Sequence, residues 1–91
     1  MVCIEKKLEG LSGLIGNTPL LEVSFTIHGV PRKIYAKAEN FNLTGSIKDR
    51  MALHIFKKGY EQGKLRSRDR VIEATSGNTG IAIAAIGRAL G

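Results

Sequence analysis

The sequence has one cysteine, two histidines, two prolines, no tryptophan and only 5% aromatic residues. Cys3 alone cannot form an internal disulfide, which fits a reducing compartment, and a cytoplasmic location is expected. His28 and His54 are far apart, with no carboxylate or cysteine at ligand spacing, so no metal site is expected. The longest apolar run, Ile81 to Ile86, is far too short to cross a bilayer, so no membrane partner is expected. Glu5 and Glu9 interrupt the N-terminus and no apolar run follows, which argues against a signal peptide. The basic stretch Lys57, Lys58, Lys64, Arg66, Arg68 and Arg70 has only Tyr60 interleaved as a stacking side chain. A nucleic-acid surface calls for more, and none is expected here.

What is present is ordinary for a globular chain: 91 residues, 43% hydrophobic, 24% charged and a net charge of +6. That length makes one domain or part of one, burying roughly 60–65% of its unfolded surface. The positive charge reads as lysine and arginine covering solvated helix faces, although it would also suit an acidic partner.

Taken in order, residues 5–8 read as a short helical turn that Gly10 and Gly13 interrupt. Leu14 to Pro19 is turn chemistry, since Gly16 and Asn17 tolerate positive φ and Pro19 fixes its own. Leu20 to Phe25 reads as a strand and Ile27 to Arg32 as a hairpin-type loop. Lys33 to Glu39 alternates, with Ile34, Ala36 and Ala38 on one side, and reads as a half-buried strand. A helix is predicted from about Ser46 to Gln62, with Ser46 as N-cap, Asp49 in a shortened capping box and Gly63 ending it. Arg70 to Thr75 reads as a third strand and Gly80 to Leu90 as an apolar helix that expects burial. The fold class is α/β in the order β-β-α-β-α. A parallel crossover is expected between Lys33–Glu39 and Arg70–Thr75. Both strand-to-helix loops would then open on one sheet edge, where ligands sit in open α/β sheets.

Those two loops carry the chemistry. On the helical wheel, at ~100° per residue, Met51, Ala52, Ile55, Phe56 and Gly59 form an apolar arc with Lys48 inside it. Such a lysine either snorkels outward or is held in a pocket. If pocketed, burial and the positive end of the helix dipole both disfavour its charged form, which makes the amine a better nucleophile toward a carbonyl. The second loop, Thr75 to Gly80, has N–H groups at a helix start, side-chain partners in Thr75, Ser76, Asn78 and Thr79, and Gly77 and Gly80 for close approach. It reads either as an anion site or as a helix cap. Asp49 is expected to complement the helix dipole, and Arg50 to be solvated or to pair locally.

Asn17-Thr18-Pro19-Leu20, the stretch Lys37 to Arg50 and the loop Thr75 to Gly80 together resemble the N-terminal part of the cysteine synthase and cystathionine β-synthase family. These are pyridoxal-phosphate enzymes of the tryptophan-synthase-β fold type (fold type II). The resemblance covers about residues 14–91, with Leu43 standing where many relatives have proline. It implies Lys48 as the catalytic lysine bonded to pyridoxal 5′-phosphate. It further implies that Thr75, Ser76, Gly77, Asn78 and Thr79 grip the substrate α-carboxylate, and that Asn78 also contacts the cofactor ring. Asn78-Thr79 is like cysteine synthase rather than the dehydratases of the same fold.

The implied activity, transferase or lyase, is replacement of the β-substituent of O-acetylserine or serine by sulfide or a thiol, in cysteine biosynthesis. The implied organisation is one partial domain over residues 1–91 with an incomplete sheet. Residues 1–32 would be an N-terminal segment with the first strand, and 33–91 the start of the cofactor and substrate subdomain. Family members are several-fold longer, so the chain reads as a fragment, expected to be inactive alone and to pair with the rest of the enzyme or a second copy. The alternative is a non-catalytic basic binding or self-associating module.

Overall fold

The computed structural model describes residues 2–91, which order as helix α1 (Ile4–Ser12), strands β1 (Leu20–Ile27) and β2 (Val30–Lys37), a single 3-10 turn (Glu39–Phe41), helix α2 (Lys48–Glu61) and helix α3 (Asn78–Leu90). The α/β class stands. Helix α1 extends well beyond the short turn expected from Glu5 to Leu8. Leu8 and Leu11 bury one face of it, and that burial outweighs the ~1 kcal/mol helix penalty of Gly10. Gly13 caps its C-terminus.

Strands β1 and β2 pair antiparallel from Leu20 opposite Lys37 to Ile27 opposite Val30. The loop between them shrinks to His28 and Gly29, with φ of 51° and 77°. Two positive φ values in a two-residue turn match the right-handed twist of the strands. The expected loop over 27–32 is therefore mostly strand. Pro31 pairs with Thr26 in the ladder, which it tolerates because each strand of a two-stranded sheet has a free edge.

The third strand does not form. Residues 70–75 have irregular backbone, the sheet is two-stranded, and the parallel crossover is absent. A strand is stabilised by a neighbour that pairs its N–H and C=O groups, and the hairpin does not pack against the helices. Without a ladder Ile72 is left 83% exposed. The radius of gyration, 16.9 Å, far exceeds the ~12 Å of a compact chain this long, because the hairpin projects from the helices.

The core lies between the three helices: Leu8 and Leu11 of α1, Ile15, Ala52 and Phe56 of α2, and Ala82, Ile86 and Leu90 of α3. The buried residues of α3 follow i, i+4, i+8, one stripe rather than the all-round burial expected, and Ile81 is exposed. Gly87 admits the Phe56 ring: a Cβ there would lie 3.2 Å from Phe56 Cζ. Beyond α2, the Arg68 N–H donates to the Gly91 carbonyl at 3.2 Å, and Tyr60 and Gly91 line one cavity. The C-terminal ends of α2 and α3 therefore lie together. The two helices run side by side in the same direction, and their N-termini face a common end.

The alternation read in the hairpin is real but uncovered. Leu21, Val23, Ile27, Val30 and Ile34 share one face by register, and all are exposed. Ile34→Thr is accordingly expected to change the stability of this chain by less than ~1 kcal/mol, the scale of its cross-strand pair with Val23. Denaturant midpoints of the two proteins check this. No helix among the described residues is long and apolar enough to cross a membrane.

Candidate functional site

The stretch from Glu39 to Arg50 is held by a polar network that reaches back to the Asn17-Thr18-Pro19 turn. Gly16 and Asn17 take the positive φ that the sequence implied, 86° and 48°. That turn brings the Gly16 N–H to Asn42 Oδ1 at 2.7 Å and the Thr18 hydroxyl to Glu39 Oε1 at 2.8 Å. Arg50 does not dissolve into solvent or pair along its helix. Its Nε and Nη2 grip the two Glu39 oxygens at 2.8 and 3.0 Å, and Nη2 also reaches Thr18 Oγ1 at 3.2 Å. Asn42 donates to Glu39 Oε2 at 2.7 Å and to the Ser46 carbonyl at 3.0 Å. The Lys37 ammonium donates to the Thr18 carbonyl.

This network has an electrostatic consequence. The hydrogen bonds from Arg50, Asn42 and Thr18 lower the Glu39 carboxyl from 4.5 to about 2, and the same pair raises the Arg50 guanidinium above its ordinary value. A carboxyl lowered on folding stabilises the fold above its unfolded value and loses that contribution as pH falls through the folded one. The melting temperature of the wild type should therefore exceed that of Glu39→Gln near pH 6. The difference should close as pH is lowered from about 4.5 to about 2, which paired thermal melts would show.

Lys48 opens α2 and is exposed, not pocketed. The apolar arc around it is divided. Ala52 and Phe56 turn into the core, while Met51 and Ile55 stay exposed on Lys48's side of the helix. The capping expectation also changes. Ile47, not Ser46, occupies the N-cap position. Ser46 Oγ instead accepts from the Lys48 N–H at 3.2 Å. Asp49 lies in the first turn of α2, where a carboxylate complements the helix dipole, and it is fully buried, accepting bonds from Thr44.

The second loop is exposed from Thr75 to Asn78, with Thr79 half-buried at the start of α3. The Thr75 hydroxyl accepts from the Gly77 and Gly80 N–H groups at 3.2 and 3.1 Å. The loop is thus a helix cap. It also leaves the first two helical N–H groups, those of Asn78 and Thr79, without an acceptor among the described residues. Oriented N–H groups at a helix start suit an anion. Gly80 is required by the packing, since a Cβ there would stand 2.4 Å from Thr75 Cγ2.

Lys48 and the Thr75–Thr79 loop therefore sit at the two helix N-termini that face one end of the molecule. The linking roles of Glu39, Asn42 and Thr44 were not read from the sequence. Their partners are 3 to 26 positions away, in a turn, a loop and a helix start, so no periodicity marks them. The one available signal was the adjacent Asp-Arg pair opening a helix behind an Asn- and Thr-rich loop.

Residues 11–91 match the pyridoxal-phosphate dependent enzyme family. The chain is 46% identical over 89 residues to a cysteine synthase of Aquifex aeolicus, covering 94% of this chain and 27% of that protein. It is 45% identical over 83 residues to cysteine synthase 1 of Neurospora crassa, covering 91% of this chain and 22% of that one. The crystal structure of a hydrogen sulfide-producing enzyme from Fusobacterium nucleatum superposes with a TM-score of 0.91 at 50% identity, over 96% of this chain and 26% of that enzyme. Pyridoxal phosphate is the cofactor implied by the family and by the cysteine synthases it includes. The chain belongs to the pyridoxal-phosphate dependent enzyme family, and it spans about a quarter of the length of the cysteine synthases it matches.

Proposed function

We propose that this chain is the N-terminal part of a cysteine synthase-like enzyme that replaces the β-substituent of O-acetylserine or serine with sulfide or a thiol. The observation that carries the reading is the common end of α2 and α3. It sets an exposed primary amine, Lys48, and two acceptor-free N–H groups, of Asn78 and Thr79, at neighbouring helix N-termini. These residues fit pyridoxal phosphate. An accessible amine can bond the cofactor's carbonyl, and the second loop can take an anionic group beside it. When bound, the cofactor supplies an electron sink for the substrate's α-carbon.

The chain's own residues then divide the work. Thr75 Oγ1 holds Gly77 and Gly80 in place, and the N–H groups of Asn78 and Thr79, with the side chains of Ser76 and Asn78, bind and orient the substrate carboxylate. Lys48 Nζ holds the cofactor until substrate arrives and, once free, accepts the α-proton as base.

The exposed side of α2, with Lys48, Met51 and Ile55, leaves such a site uncovered in this chain. The chain alone is therefore expected to form no cysteine from O-acetylserine and sulfide. Mixing it with the complementary three-quarters of the Fusobacterium enzyme, with pyridoxal phosphate present, is expected to give cysteine formation that neither piece shows. Turnover by the complementary piece alone at the same rate would contradict the assignment.

A further inference from the structure

The first turn of α2 contains a carboxylate that the proposed chemistry does not use. Asp49 follows Lys48 directly and is 0% exposed. Both of its oxygens are taken by one residue: Oδ2 accepts the Thr44 N–H at 2.6 Å, and Oδ1 accepts the Thr44 hydroxyl. The bond pair closes a loop over Gly45, Ser46, Ile47 and Lys48. Gly45 turns that loop with a φ of 90°, and its N–H donates to the Asn42 carbonyl at 2.9 Å.

Helix capping alone does not call for this arrangement. An exposed serine or aspartate would cap the helix without desolvation, whereas a buried carboxylate is costly unless its lone pairs are met. What two-point bonding to a single residue adds is a fixed loop shape, and the residue at the end of that loop is Lys48. We propose that Asp49 is a positioning residue, clasping Thr44 so that Lys48 is presented from one fixed backbone geometry. The proposal rests on the reading of Lys48 as the cofactor-bonding lysine.

The test keeps the two ideas separable. The 91-residue chain is treated with pyridoxal phosphate and borohydride, and modification at Lys48 is read against Lys57 and Lys58, which lie further along the same helix outside the clasp. Thr44→Val keeps the backbone donor and the side-chain shape but removes the hydroxyl. It should lower the ratio of Lys48 to Lys57 labelling about tenfold, the scale of one bond to a charged acceptor. Asp49→Ala should lower it further, and Thr44→Ser should restore it. Helical circular dichroism shows which variants are folded. If Asp49→Ala does not fold, the Val and Ser pair at Thr44 decides.

Amide exchange at Thr44 in the untreated chain gives a second readout, expected to be slow in the wild type and fast in Asp49→Ala. Folded Thr44→Val with the wild-type labelling ratio overturns the proposal, as does rapid Thr44 exchange in the wild type. Slow exchange at Thr44 with no preference for Lys48 in the wild type overturns the Lys48 reading itself, and the positioning role with it.

Discussion

Phe56→Ala is expected to bring this chain close to its unfolding midpoint at room temperature. Phe56 is the one buried aromatic side chain among the described residues and lies against Gly87, which has no side chain to move into the space. Truncating a buried phenylalanine costs about 3–5 kcal/mol, and the cost is highest where neighbours cannot collapse into the cavity. A chain of 91 residues has roughly 5–14 kcal/mol of stability in total. This one sits toward the lower end, since its hairpin adds no interior. Phe56→Leu, which refills much of the volume, should fall well between the two. Denaturant unfolding followed by circular dichroism distinguishes them. A Phe56→Ala midpoint equal to that of the wild type would mean that the helical cluster is not what holds the fold. Set beside Ile34→Thr, the comparison asks one question of two large apolar side chains, one enclosed and one bare.

Lys48→Ala is expected to lower turnover in the reconstituted enzyme by ~10²–10⁴-fold through loss of the base alone, with a further loss from the missing covalent hold on the cofactor. The stability of the chain should barely change, because Lys48 is exposed and its side chain makes no hydrogen bond or ion pair among the described residues. That separation matters. A drop in turnover together with a drop in melting temperature would point to a structural role. A drop in turnover at unchanged melting temperature, partly reversed by added small primary amines, points to the missing amine. Turnover within a few-fold of wild type would remove Lys48 from the chemistry.

Helices α2 and α3 and the hairpin were legible in the sequence for local reasons, whereas α1 was read only as a short turn. The 3.6-residue spacing of Ala52 and Phe56, the alternation of Val23 and Ile34 with polar neighbours, and the positive φ at Gly63 that ends α2 all act over a few residues. Residues 70–75 were misread because β propensity reports fitness for a sheet, and no strand among the described residues pairs with them. The lack of a neighbour likewise explains why Lys48, inside an apolar arc by wheel geometry, stands exposed. Met51 and Ile55 complete the arc but have nothing to pack against. The network of Glu39, Asn42, Thr18 and Arg50 was illegible for the opposite reason. It is dense in three dimensions but joins a turn, a loop and a helix start with no shared period. The family resemblance located the stretch without disclosing what each residue in it holds.

The most direct test of Lys48 as the cofactor anchor is to incubate the wild-type chain with pyridoxal phosphate, reduce it with borohydride and map the modified peptides. The predicted result is a dominant adduct on Lys48, with little on Lys57, Lys58 or the other exposed lysines. Adducts spread evenly over the lysines, with none favoured at the start of α2, would contradict it.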